Sequence, residues 1–182
     1  MKPSTALLVI DIQVGAFDAK LIPAIDGAAE LLIRIAALVD AARCAGSHVI
    51  FVQHCAPEGE LLAEGTKGWE MHPSVSPTDG ETVIRKHQSS AFESTKLRQI
   101  LEERDIDTVI SCGLQSEQCI TNTSISALEL GLDVIVAEDG HSTWTTDLDE
   151  ASAIVERQNT LLRHRGARIE PIRALVQWLS NP

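Results

Sequence analysis

Apolar residues follow two rhythms that alternate down the chain. Thr5 to Asp11 is a continuous apolar run of strand length that ends in a charge. From Pro23 to Ala45, the residues Ile25, Ala28, Leu32, Ile35, Val39 and Ala42 recur every three or four positions. That spacing gives a helix one apolar face, and Gly46 supplies its stop. Further strands are predicted over Ser47–His54, Glu81–Lys86, Asp107–Cys112, Leu132–Ala137 and Ala167–Glu170. Further helices are predicted over Ser94–Arg104 with Ser94 as N-cap, Ser116–Leu130, Asp147–His164 and Pro171–Leu179. Apolar strands that alternate with helices make βαβ units. The expected fold is α/β: a three-layer α/β/α, Rossmann-like domain with a mostly parallel six-stranded sheet. No repeat, low-complexity tract or linker-like shift divides residues 1–182, so one domain is expected. The irregular stretch is 55–80, which holds Pro57, Gly59, Gly65, Gly68, Pro73, Pro77 and Gly80. A loop that long in a compact domain is usually functional, and it is expected to cover a site as a lid.

Composition narrows the function classes. Fifteen Lys and Arg against 26 Asp and Glu leave a formal charge of −11 over 182 residues. That balance repels phosphate backbones and anionic lipid surfaces, which argues against nucleic-acid and membrane partners. No apolar run is long enough to span a bilayer, and Ala6–Ile10 is too short for a signal-peptide core. The expected location is the cytoplasm. Cys44, Cys55, Cys112 and Cys119 form no CxxC pair and no zinc-type cluster, so free thiols are expected.

In such folds the ligand site lies beyond the carboxyl ends of the strands. That selects Asp11, His54, Lys86 and the segment Gly113–Cys119: a carboxylate, an amine and a thiol able to cooperate. Ser116 is placed to cap a helix, which puts Cys119 near its N-terminus. There the helix dipole and unpaired N–H groups are expected to lower a thiol's pKa and to stabilise an oxyanion. Strand alternation should turn Lys86 away from Arg85 and His87. Each group alone has an ordinary alternative: an inert packed cysteine, a turn-capping carboxylate, a solvated lysine. Cys112, inside an apolar strand, and Cys44, late in a helix, are expected to be inert, and Cys55 has no assigned role.

The segment Ala6-Leu7-Leu8-Val9-Ile10-Asp11-Ile12-Gln13 with Phe17 resembles the opening motif of the isochorismatase-like cysteine hydrolases. Lys86-His87-Gln88-Ser89-Ser90-Ala91-Phe92 with Thr95 and Leu97 is similar to that family's lysine motif. Gly113 to Ile120 with Thr123 is similar to its nucleophile motif, and Asp139 to Thr143 to the segment after its fifth strand. Each motif is weak alone, but four in the right order and spacing are specific. The resemblance implies a triad of Asp11 as base, Lys86 as charge-stabilising partner and Cys119 as nucleophile on a small amide. It also implies a cis peptide between Leu114 and Gln115, aiming the Gln115 N–H with that of Cys119 at an oxyanion. Gln13, Phe17, His54, Trp69 and Phe92 are the candidate substrate-binding residues, with His72 and Trp144 as further pocket candidates. Family members commonly form dimers or tetramers, so a homo-oligomer is expected.

Nicotinamidases of this family bind a metal through an Asp-x-His pair after the second strand and a further His. Here that position reads Val52-Gln53-His54-Cys55, without the Asp. No metal and no cofactor are therefore expected, and nicotinamide is disfavoured as a substrate. True isochorismatases cleave a vinyl ether without a cysteine, so Cys119 favours amide hydrolysis. A vinyl-ether hydrolase and a non-catalytic small-molecule-binding protein on the same fold stay open as alternatives.

Overall fold

The computed structural model describes residues 4–181. Six strands run in parallel: β1 (Thr5–Ile10), β2 (His48–His54), β3 (Thr82–Lys86), β4 (Thr108–Leu114), β5 (Asp133–Ser142) and β6 (Arg168–Glu170). Their order across the sheet is β3-β2-β1-β4-β5-β6. The chain starts in the middle, builds outward to β3, then crosses back to β4. Between β1 and β4 the direction of winding reverses, which opens a crevice at their carboxyl ends.

Five helices cover the two faces: α1 (Ala28–Cys44), α2 (Leu97–Glu103), α3 (Thr121–Glu129), α4 (Ala151–His164) and α5 (Ile172–Ser180). Alternate side chains of each strand feed opposite cores. Leu7 and Val9 pack with Ile35, Leu38 and Leu175, under α1 and α5. Ala6, Leu8 and Ile10 pack with Leu101, Ala127 and Leu162, under the other three helices. β1 is buried on both faces, so its apolar residues are continuous rather than alternating. Each fully buried Leu or Ile there contributes about 1.5–3 kcal/mol relative to exposure.

The elements appear in the expected order, with differences at several of their ends. The first helix starts at Ala28, not Pro23, because Ile25 and Asp26 donate their N–H groups to Ala16 and Thr143 instead of to a helical turn. Ile25 still reaches the core, from a loop. Ser94 does not cap α2: it has a φ of +55°, and Thr95 Oγ1 accepts the Leu97 N–H instead. The helix expected from Asp147 starts at Ala151, since Thr146 closes a turn onto Asp149 and Thr145 Oγ1 accepts the Ala151 N–H. β5 runs on to Ser142 rather than ending at Ala137, because extra residues between Val136 and His141 bulge out before pairing with β4 resumes at Gly113↔His141. That bulge brings His141 and Thr143 up beside the crevice.

Among the described residues no helix is long and apolar enough to cross a membrane.

Candidate active site

The crevice collects the ends of β1, β2, β3 and β4. Asp11 follows β1 with a φ of +54°, a left-handed turn that Asp tolerates better than most residues. Its N–H stays in the ladder, donating to Val52 O, while the carboxylate swings into the crevice. Lys86 closes β3 in register with His54 on β2. Arg85 points to solvent, where it pairs with Glu64, and His87 is exposed, so the alternation expected along β3 is present. Lys86 instead turns inward, its side chain 0% exposed, and its ammonium lies 2.8 Å from Asp11 Oδ2, 3.1 Å from Cys119 Sγ and 3.2 Å from Gln88 O. A buried ammonium needs partners of that kind, since an unpaired one costs several kcal/mol. His54 Nδ1 lies 3.5 Å from the same Nζ.

The segment carrying Cys119 differs from the helix expected. Residues Ser116–Ile120 form one wide π-helical turn that runs into α3, and the Leu114–Gln115 peptide before it is cis. Ser116 does not cap the turn. Its hydroxyl is 2.8 Å from His141 Nδ1, whose Nε2 is 3.0 Å from Asn159 Oδ1, so the turn that carries Cys119 is tied to β5 and α4. Gly113 is a structural requirement of the site. Its φ is +123°, and a Cβ there would sit 1.9 Å from Ile10 O, so β1 and β4 meet this closely only around a glycine.

The electrostatics reverse one expectation. Burial pushes the Cys119 thiol up to about 11; the Asp11 carboxylate adds to the rise and the Lys86 ammonium opposes it. Burial also works against the charge on Lys86, but Asp11 and Cys119 outweigh it and hold the ammonium above its ordinary value. His54 is pushed down by burial and by the Lys86 charge, so it is neutral near pH 7. Burial and the Asp11 charge thus work against a standing thiolate at Cys119. Cys112 fits the inert role expected: burial raises its thiol to about 12.

A cavity of about 400 Å³ opens over these groups, lined by Asp11, Ala16, His54, Leu62, Ser89, Leu114, Gln115, Gln118, Cys119 and Trp144. A second compartment of about 230 Å³ adjoins it, lined by Gly15, Ala16, Ile22, His54, Ala56, Glu60, Leu61, Leu62 and Trp144. Ala16 and Leu62, of types common everywhere, carried no signal in the sequence, while Ser89 and Gln118 lie within two of the motifs but had no role assigned. Among the described residues no three His, Cys, Asp or Glu side chains are grouped to hold a metal ion.

Four of the candidate binding residues lie away from the cavity wall. Gln13 is fully buried: its Nε2 donates to His54 O and Trp69 O, and its Oε1 accepts the His54 N–H. It fixes the end of β2 to the 55–80 loop. Trp69 is pinned in the same knot, with Nε1–H donating to Cys55 Sγ at 3.3 Å and Arg85 lying 5.0 Å over its ring. Phe17 packs on the core and against His72, at 5.2 Å between ring centres. Phe92 packs under α2 beside Leu101 and Ile106. The apolar rings follow the motifs in sequence, but the chain turns each toward the nearest core. Of the five, His54 lines the cavity, and Trp144 joins it there. The 55–80 loop supplies Ala56, Glu60, Leu61 and Leu62 to the walls, and is tied down by backbone bonds from Val14 and Gly15 to Glu70 and Gly68.

Known proteins resemble this chain in sequence and in fold. A streptothricin hydrolase of Streptomyces noursei is 34% identical over 185 residues, covering 97% of this chain and 66% of that protein. The chain thus spans just under two thirds of the length of that relative. Maleamate amidohydrolase of Pseudomonas putida is 30% identical over 120 residues, covering 60% of this chain and 56% of that protein. A crystal structure of an isochorismatase family protein from Desulfovibrio vulgaris superposes with a TM-score of 0.88 at 28% identity, covering 99% of this chain and 100% of that one. The isochorismatase domain family matches residues 5–167, and with the six-stranded parallel sheet and the ordered motifs around its switch point, the chain belongs to that family.

Proposed function

We propose that this chain is a cysteine-dependent amidohydrolase that cleaves the C–N bond of a small carboxamide through a thioester, with Asp11, Lys86 and Cys119 as its catalytic residues. The observation that carries the reading is one ammonium touching both a carboxylate and a thiol beneath an open cavity. The hydrolase and amidohydrolase names of the two relatives point the same way.

The mechanism proposed couples attack to proton transfer, because burial disfavours a free thiolate and Asp11 shares the Lys86 ammonium with the thiol. Sulfur attacks as its proton passes to Asp11, so negative charge never accumulates on sulfur without a place for the proton. The Sγ–C bond forms, and the carbonyl oxygen takes the charge. The N–H groups of Gln115 and Cys119 are the donors assigned to it; Gln115 N–H has no acceptor among the described residues. The oxyanion collapses, the C–N bond breaks, and Asp11 returns its proton to the departing amine. Asp11 then takes a proton from water as the oxygen attacks the thioester, and the acid leaves as sulfur regains a proton. Lys86 stays charged throughout and offsets the charge that moves between Asp11, sulfur and oxygen.

Ammonia release over a panel of small carboxamides tests the reading. The variant Cys119→Ala should lower turnover about a thousandfold or more while folding normally, and mass spectrometry should trap an acyl group on Cys119 in the wild type. If Cys119→Ala keeps activity on a vinyl ether while Asp11→Ala loses it, the ether-hydrolase alternative replaces this one. Ligand-stabilised melting with no product from any substrate would instead assign a binding protein.

A further inference from the structure

The substrate's far end has its own surroundings. The reactive compartment and its neighbour share Ala16, His54, Leu62 and Trp144 as walls, so a molecule whose carbonyl sits at Cys119 extends past Trp144 into the second compartment. The charged side chains lining the two compartments are Asp11 and Glu60, and both are acidic. Among the described residues no Lys or Arg lines either compartment, and the Lys86 ammonium beneath them is buried and already engaged with Asp11, Cys119 and Gln88. Arg85, on the outer side of β3, is held by Glu64 and the Trp69 ring. His54, on the shared wall, is neutral near pH 7 and feels the Glu60 charge, which puts that carboxylate within electrostatic reach of the passage. Asp11 is already paired with Lys86 at 2.8 Å, so a carboxylate reaching the second compartment meets the Glu60 charge with no Lys or Arg on its walls, on a protein whose formal charge is −11.

We infer that the site selects amides whose remote end carries an ammonium group, received by Glu60, and discriminates against amides that carry a carboxylate. The inference rests on the amidohydrolase reading for the placement of the amide end. The stretch between the two ends passes Leu62, Leu61 and Trp144, so the body of the substrate is apolar.

The test uses three amides of one aliphatic chain: hexanamide, the same chain ending in an amine, and the same chain ending in a carboxylate. The amine form should have a kcat/KM about three- to fivefold above hexanamide, as an exposed ion pair gives. The carboxylate form should fall about tenfold or more below the amine form. Glu60→Gln should bring the ratio of amine form to hexanamide close to one, and added salt should shrink it in the wild type. Equal or faster hydrolysis of the carboxylate form, or a ratio untouched by Glu60→Gln, overturns the inference. Calorimetric binding of the same three amides to Cys119→Ser protein separates this from the reaction itself. A preference for the amine form with no turnover in the wild type keeps the inference and discards the amidohydrolase reading. Binding without that preference, or no binding of any of the three, overturns it.

Discussion

Asp11→Asn should disable hydrolysis and yet make Cys119 more reactive toward an alkylating agent. Two contacts set the size of the effect. Asp11 Oδ2 and Cys119 Sγ both touch Lys86 Nζ, at 2.8 and 3.1 Å, so acid and sulfur lie within about 6 Å of each other. Two negative charges at that separation and an effective dielectric constant near 20 repel by about 3 kcal/mol, or about 2 pKa units on the thiol. Burial is the larger cause of the rise to about 11 and remains in the variant, as does the opposing Lys86 ammonium. The alkylation midpoint should therefore move from near 11 to near 9. The thiolate population at pH 7.5 then grows about a hundredfold, but a less basic thiolate is a weaker nucleophile, so the rate gain is about tenfold.

Iodoacetamide labelling read by peptide mass spectrometry separates Cys119 from the exposed Cys44. Asn is the fitting replacement, because it accepts the left-handed backbone at φ +54°. Lys86→Met is the opposite control: removing the ammonium should push the thiol above 11 and slow labelling. Both variants break a buried pair and should lose about 3–5 kcal/mol of stability, so labelling is compared well below either melting temperature. If Asp11→Asn slows the labelling of Cys119 or leaves its midpoint in place, the carboxylate adds nothing to the rise of the thiol, and its role as proton acceptor fails with it.

Three further outcomes follow from contacts outside the reactive groups. Gly113→Ala should lose about 3–5 kcal/mol or fail to fold, since its Cβ would meet Ile10 O at 1.9 Å; chemical denaturation measures it, and a loss under 1 kcal/mol would mean β1 and β4 can part without cost. Gln13→Leu leaves the His54 N–H and C=O without partners and should cost about 2–4 kcal/mol by urea melt, with a higher KM because His54 forms the cavity wall. Glu81→Gln should cost about 1–2 kcal/mol at pH 7, by breaking the paired hydrogen bonds from Arg43 at 2.9 and 2.8 Å that tether the end of the 55–80 loop to α1. The Arg43 hydrogen bond holds the Glu81 carboxyl below the ordinary carboxylate range, against burial. That contribution is full above the unfolded-state value and disappears as pH falls through the folded one. The difference between wild type and Glu81→Gln should thus vanish in strong acid, and a difference that persists there would count against the ion pair.

What was legible in the sequence was whatever a period or a strand end encodes. Asp11 closes a run buried on both faces, and Lys86 alternates with two exposed neighbours, so both point to the crevice from local rules alone. The β5 bulge was not legible, because Glu138, Asp139 and Gly140 read as loop while their neighbours pair in a sheet. The aromatic candidates failed for a related reason: proximity to a motif in sequence does not say which core takes the ring, and Phe17 and Phe92 went to opposite ones. The thiol is the most instructive case. A helix terminus favours an anion by 0.3 to about 2 kcal/mol in typical settings, which is smaller than the repulsion from one carboxylate within about 6 Å, before burial is counted. Position on a helix therefore could not decide the protonation of Cys119; burial first, and then the acid that the fold brings from β1, outweigh it. The carboxylate that adds to the rise of the thiol is, in the proposed mechanism, also the group that takes its proton, so its opposing electrostatic effect and its basicity are one property of the same side chain.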